Sequence, residues 1–294
     1  MLNIFMSIPS PSISYFDLGP VKIHFYALCI LLGIIAAIYI ANIRLMVRGA
    51  ASGVALDIAL WTVPFGILGA RIFHVLTHLA DYFGSGIDPL SIFRIWEGGI
   101  AIYGGLIGGA LGAWIGSKRS GIKFWAFADA VAPGILLAQA FGRWGNYFNQ
   151  ELFGQPTDAP WGLEIAFPNP AWPVGLPPGT LFQPTFLYES IWDVFGMFLL
   201  FWLDKRFNLH WGKTFGAYLI FYSVGRIFTE NLRIDPSEIL LGLRINVWSA
   251  ILGIAVGLAI ILVRNSKHPG LETSVLLAQT KSKTADKVES DSTK

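Results

Sequence analysis

Seven apolar stretches, each of the roughly 17–25 residues needed to cross a bilayer's hydrocarbon core, leave this chain few folds to choose from. They run about Lys22–Ala41, Ala55–Leu76, Gly98–Ser117, Phe124–Phe141, Thr185–Leu203, Thr214–Glu230 and Asn246–Val263. In lipid every backbone amide and carbonyl must find an internal partner, so a spanning segment is a helix or a strand of a closed barrel. Barrel strands alternate apolar and polar residues, and these stretches do not. The expected fold class is all-α: a polytopic membrane protein with about seven transmembrane helices. Composition agrees, with 54% of the 294 residues hydrophobic and 14% charged, against about a quarter charged in soluble domains. Cys29 is the only cysteine, so no intrachain disulfide can form. No basic residue precedes Lys22 and three prolines come early, which argues against a cleavable signal peptide.

The basic residues give a direction. Arg44 and Arg48 follow the first stretch; Lys118, Arg119 and Lys123 separate the third and fourth; Lys205, Arg206 and Lys213 separate the fifth and sixth. Arg264, Lys267, Lys281, Lys283, Lys287 and Lys294 lie beyond the seventh. All 14 fall on one side of the seven-span arrangement, which the positive-inside rule makes cytoplasmic. The other seven, Lys22, Arg71, Arg94, Arg143, Arg226, Arg233 and Arg244, lie on the opposite side or within spans. The N-terminus is expected outside and the C-terminus inside.

Between the fourth and fifth stretches, Leu152 to Pro184 holds eight of the 16 prolines. Proline removes a donor and fixes φ, so this segment is not helical. Its apolar content, including Trp161 and Trp172, suits a compact lid over the outer face better than a free linker. Residues 1–265 are expected to form one transmembrane domain with this outer loop (152–184). Residues 266–294, rich in Lys, Ser, Thr and Asp, are expected to be a disordered cytoplasmic tail.

Ionisable groups within bilayer-length apolar stretches are costly and mark sites. Arg143 and Asn146 are three apart, and Arg226 and Glu230 four apart, which places each pair on one helical face. Glu189 and Asp193 repeat the four-residue spacing in the fifth stretch. Tyr26 opens the first stretch, Tyr103 lies in the third and Arg71 in the outer half of the second. Several of these have structural alternatives: Arg226–Glu230 as an ion pair between helices, Asp193 as a packing residue, Tyr26 as part of the aromatic belt. Gly104, Gly108, Gly112 and Gly116 form a strip that lets helix backbones approach closely. His74 and His78 have helical metal-ligand spacing, but no further His or Cys accompanies them, and no metal is expected. Two arginines on different helices at one depth call for an anion, since the guanidinium fork matches phosphate bidentately. Spacing alone thus leads to a membrane enzyme or carrier with an anionic lipid ligand.

The string Gly142-Arg143-Trp144-Gly145-Asn146-Tyr147-Phe148-Asn149-Gln150-Glu151-Leu152-Phe153-Gly154 resembles the pattern GRxGNFxNxELxG of prolipoprotein diacylglyceryl transferases, with Tyr147 where Phe is usual. Four other blocks resemble that family in the same order, so the likeness extends from Gly19 to about Arg264. They are Gly19-Pro20-Val21 through His24-Phe25-Tyr26; Phe93-Arg94-Ile95-Trp96-Glu97-Gly98-Gly99 with Tyr103-Gly104-Gly105-Leu106-Ile107-Gly108; Leu187-Tyr188-Glu189; and Gly225-Arg226-Ile227-Phe228-Thr229-Glu230 with Arg233 and Asp235-Pro236.

The resemblance implies an alkyl-type transferase of the bacterial cytoplasmic (inner) membrane, with its active site towards the outer leaflet. Such an enzyme moves the diacylglyceryl group of phosphatidylglycerol to the lipobox cysteine of a preprolipoprotein signal peptide, giving a thioether and glycerol phosphate. It needs no cofactor, and its partners are the phospholipid, the preprolipoprotein and the bilayer, with no nucleic acid. It implies catalytic roles at Tyr26, Arg143, Asn146, Glu151 and Arg226, and phosphatidylglycerol binding by Arg143, Asn146, Gly154, Glu189, Arg226 and Glu230; Tyr103 is a further catalytic candidate that the resemblance does not supply. Two positions depart from the family, which often has His where Tyr103 and Gln183 stand, so a scheme with an imidazole base at either position does not apply. Glu151 and, as part of a hydrogen-bonded relay, Tyr103 are alternative candidates to take the thiol proton. The alternative function is a lipid or anion transporter using the same arginines, although the internal repeats common in transporters are not visible here.

Overall fold

The computed structural model describes residues 7–83, 86 and 88–277. It is mostly helical. After a hairpin of β1 (Tyr15–Leu18) and β2 (Val21–His24) come α1 (Phe25–Val47), α2 (Val54–Thr77), a single turn α3 (Ala80–Phe83), α4 (Ile102–Arg119) and α5 (Phe124–Asn149). The chain continues with α6 (Thr185–Phe207), α7 (Lys213–Leu232), a second hairpin of β3 (Ile239–Leu240) and β4 (Leu243–Arg244), and α8 (Ile245–Lys267). The two antiparallel hairpins are small additions to an otherwise helical fold. Each is too short to show a period-two pattern, and the first occupies Lys22, which was read as the start of a span.

Five helices (α1, α2, α5, α6 and α8) are long and apolar enough to cross a membrane by length and composition. The other two long helices, α4 and α7, are diluted by glycines in one and by Ser223, Arg226, Thr229, Glu230 and Asn231 in the other. Ile35 and Tyr39 on α1, Leu60 and Leu68 on α2, and Leu252 and Leu262 on α8 stand exposed. Lipid tails solvate such surfaces; water does not.

The helices pack as antiparallel pairs, α2 on α4, α1 on α5 and α7 on α8, with α5 also against α6 and α7. α5 is the most enclosed of the five apolar helices and α1 the least. The glycine strip of α4 is the contact surface of the first pair. A Cβ at Gly104 would strike the Gly69 carbonyl, and one at Gly108 the Phe65 carbonyl. Gly108→Ala should therefore destabilise the protein by about 1–3 kcal/mol, as overpacking generally does. A thermal melt in detergent with an unchanged midpoint would show that the two helices can simply move apart.

At the end of the bundle where α1 and α6 finish and α7 begins, the buried Asp129 of α5 accepts from Gly212 N at 2.7 Å and Phe215 N at 3.0 Å. It satisfies amides that the first turn of α7 cannot pair for itself. Arg44 ties the same end together through Asp204 at 3.1 Å and the Asp129 carbonyl at 3.1 Å. Of the expected tail, 266 and 267 finish α8 and 268–277 pack here: Val275 is buried, Lys123 N donates to the Val275 carbonyl at 2.8 Å, and Lys123 faces Glu272 at 3.4 Å. The rest of that tail, 278–294, lies outside the described residues.

At the opposite end, residues 152–184 contain no helix. They fold around Phe153, Leu163, Ile165 and Phe182, which pack with Phe186 of α6. Leu163 and Phe182 exchange backbone hydrogen bonds, and Gly154 bridges to Arg233 beyond α7.

Candidate active site

The polar string of α5 was read as following an apolar run, but the helix continues through it to Asn149. Gln150 then takes a left-handed conformation (φ 51°) and turns the chain, so that Glu151 faces back on the helix end. Asn146 donates to Glu151 Oε1 at 2.8 Å and Asn149 to the same oxygen at 3.2 Å, while Glu151 N donates to the Asn146 carbonyl at 3.2 Å. Asn146 itself is buried. The Tyr26 ring lies against Gly145, where a Cβ would stand 2.5 Å from it, and Tyr26 interacts electrostatically with Glu151 and Arg143.

One turn back on α5, Arg143 points at α6 and meets Glu189 Oε2 at 2.6 Å. Arg226 of α7 reaches the same oxygen at 3.9 Å and Glu230 Oε2 at 2.9 Å. Three helices thus place two guanidinium groups on either side of one carboxylate. These groups line a cavity of about 10 Å³ together with Trp192, Asp193, Tyr222, Gly225 and Thr229. Arg143 also interacts with the Tyr222 hydroxyl. Arg143 Nε and Asp193 Oδ2 are buried without a hydrogen-bond partner among the described residues.

Glu230 continues the chain of charges outward. Its Oε1 meets Arg244 Nε at 2.9 Å and accepts from Asn246 at 2.9 Å. Beyond it, Arg233 is paired with Asp235 at 2.6 Å. Burial acts to raise the Asp235 carboxyl, but the hydrogen bond from Arg233 and the charges of Arg233 and Arg244 outweigh it and hold the group below the ordinary carboxylate range.

Of the residues singled out from sequence, Arg143, Glu189, Arg226 and Glu230 form one ion-pair network, and Tyr26, Asn146 and Glu151 gather beside it. Gly154 is set apart. Its amide donates to the Gln183 carbonyl at 2.9 Å, and a Cβ would meet Gln183 Cβ at 2.7 Å, so it joins the loop 152–184 to α6 and α7. Tyr103 shares a 2.5 Å hydrogen bond with Ser249, three residues along α8 from Asn246. Gln183 accepts from Tyr188 at 2.7 Å and donates to Thr157 at 3.0 Å. Tyr222, Arg244 and Asn246 were missed. Tyr222 lies four residues before Arg226 on α7, a spacing that was open to view; Arg244 and Asn246 meet Glu230 only through the fold.

Chemically, two arginines that converge on one carboxylate oxygen form a site suited to an anion. A neighbouring carboxylate fixed by two asparagines can accept a proton. Bilayer-length apolar helices enclosing this cluster at one end of their bundle define a multi-pass membrane protein whose site is built for a charged ligand in an apolar setting. The sequence comparisons are specific. Residues 14–263 match the family model described as prolipoprotein diacylglyceryl transferase. Curated relatives named phosphatidylglycerol--prolipoprotein diacylglyceryl transferase include one from Leifsonia xyli, 53% identical over 90% of this chain and 83% of its own length. A second, from Streptomyces coelicolor, is 48% identical over 90% and 83%, and a third, from Paenarthrobacter aurescens, 46% over 91% and 86%. The chain belongs to the prolipoprotein diacylglyceryl transferase family.

Proposed function

We propose that this chain transfers the diacylglyceryl group of phosphatidylglycerol to the lipobox cysteine of preprolipoproteins, the first step of lipoprotein maturation. The observation that carries the proposal is the pair Arg143 and Arg226 converging on one carboxylate oxygen of Glu189. The phosphodiester takes over the place of that oxygen between the two guanidinium groups.

The acceptor sulfur attacks the glycerol carbon that bears the phosphate oxygen. A C–S bond forms, the C–O bond breaks, and its electron pair leaves on the phosphate. The phosphodiester carries one negative charge and the departing glycerol phosphate approaches two. Arginines in a water-poor site hold that growing charge more tightly in the transition state than in the ground state, which is what accelerates a reaction. A cysteine thiol with pKa near 8.5 is mostly protonated at neutral pH, so the proton must pass to a base. Glu151, oriented by Asn146 and Asn149, is better placed for this than Tyr103, which is engaged with Ser249. Tyr26 lines the approach to both groups, Glu230 orients Arg226, and Gly154 holds the outer loop where it can cover the site as a lid.

The site faces the outer leaflet in a seven-span arrangement of the inner membrane, with α4 and α7 crossing among more apolar neighbours, the N-terminus outside and the C-terminus cytoplasmic. Residues 1–265 act as one catalytic domain carrying the loop 152–184, and 266–294 as a cytoplasmic tail. A reporter active only in the cytoplasm should work when fused after Lys294 and fail when inserted within Leu152–Pro184. Activity of the loop fusion would put the site on the wrong face.

The transfer itself is tested by incubating the purified protein with phosphatidylglycerol vesicles and a lipobox peptide. Mass spectrometry should find a peptide heavier by one diacylglyceryl group. A peptide left unmodified while lipid moves between leaflets would identify a carrier instead.

A further inference from the structure

Arg226 lies between two carboxylates, Glu230 at 2.9 Å and Glu189 at 3.9 Å. Facing Arg226 alone, the two would cancel the charge that an anionic headgroup needs. Glu230, however, is fully buried and gripped from its other side by the first residues of α8 and the strand before it. Arg244 Nε and Asn246 Nδ2 each stand 2.9 Å from Glu230 Oε1. The Nε contact is an ion pair without hydrogen-bond geometry, and the hydrogen bonds of Arg244 come from its Nη groups, which go to the chain that links α7 to the second hairpin. Nη1 donates to the carbonyls of Glu230 at 3.1 Å and Arg233 at 2.8 Å. Nη2 donates to the Asp235 carbonyl at 2.5 Å and faces its carboxylate at 3.4 Å. Arg244 belongs to β4, so one guanidinium joins Glu230 to a hairpin whose Ile239, Leu240 and Leu241 are exposed.

We propose that Arg244 is a positioning residue for the reaction: by holding Glu230 it leaves the charge of Arg226 available to the lipid phosphate, and it makes that availability depend on the seating of the hairpin Ile239–Arg244. The proposal rests on phosphatidylglycerol being the ligand of Arg143 and Arg226. A lysine could supply the charge but not the planar fork that serves Glu230 and three carbonyls together. Arg244 touches no reacting atom; it acts through Glu230 on Arg226.

The test uses the full chain in vesicles of phosphatidylcholine with an increasing fraction of phosphatidylglycerol, and reads the initial rate of thioether formation. Arg244→Gln should raise the half-saturating phosphatidylglycerol fraction about ten-fold or more, as loss of a close compensating charge in a low-dielectric site does, with a smaller fall in kcat. Arg244→Lys should recover part of that loss. Asn246→Ala, which removes one neutral hydrogen bond and no charge, should shift it by less than about ten-fold. A half-saturating fraction unchanged in both Arg244 variants, whatever their thermal midpoints, overturns the proposal. Should Arg244→Gln not fold, Arg244→Lys decides, since an unchanged value there means the fork does nothing for lipid affinity. Native mass spectrometry of retained phosphatidylglycerol against phosphatidylcholine measures the same affinity without turnover. A wild-type chain that retains phosphatidylglycerol but forms no thioether would sink the transfer reaction, while the comparison with Arg244→Gln would still judge this coupling.

Discussion

Lysine at either Arg143 or Arg226 should lower turnover about 100-fold or more, the usual consequence of losing a donor aimed at developing charge, in protein that remains folded. The geometry gives the reason. Arg143 meets Glu189 at 2.6 Å from α5, and Arg226 approaches the same oxygen from α7 while keeping Glu230 at 2.9 Å. Each guanidinium serves two directions at once, and an ammonium keeps the charge without the fork. The loss should fall mainly on kcat, because the departing phosphate gains charge as the C–O bond breaks. Near-normal kcat in both lysine variants would mean that a general positive potential suffices and that the fork geometry is incidental.

Asn146→Ala should be close to inactive, again by about 100-fold or more, whereas Tyr103→Phe should lose no more than about ten-fold, the worth of one ordinary hydrogen bond. Asn146 is buried and donates to Glu151 at 2.8 Å, so its removal frees the carboxylate that we propose as the acceptor of the thiol proton. Tyr103 bonds Ser249 of α8 and joins α4 to that helix. Tyr103→His should keep substantial activity for the same reason. Initial rates with the lipobox peptide across pH 6–8, about the range where an ordinary His titrates, separate the cases. A Tyr103→Phe variant that binds lipid but never turns over would place the phenol in the proton path.

Part of this site was open to view in the sequence because some of its residues share one helical face. Arg143 with Asn146, and Arg226 with Glu230, need only the three- and four-residue spacings of a helix face, and each pair sits on one helix. The apolar length of α1, α2, α5, α6 and α8 marked them equally plainly, and proline density kept 152–184 out of helix. What was hidden depends on chain reversals. Arg244 and Glu230 are 14 residues apart across a hairpin too short to leave a pattern, yet they stand 2.9 Å apart. The reversal at Gln150 was also hidden, although it is what turns Glu151 back onto Asn146. Tyr103 shows the opposite limit: its place in a motif suggested chemistry, and the fold gives it a partner on α8.

The central claim is that the thiol displaces phosphate from carbon while Arg143 and Arg226 hold the departing group. Phosphatidylglycerol carrying heavy oxygen in the bridge between the diacylglycerol carbon and phosphorus tests this directly, with both products weighed after reaction with a lipobox peptide. The label should leave entirely with glycerol phosphate, one equivalent for each thioether formed, and both products should fall together in Arg143→Lys and Arg226→Lys. Label retained on the diacylglyceryl group, or lipid recovered intact with the peptide unmodified, would contradict it.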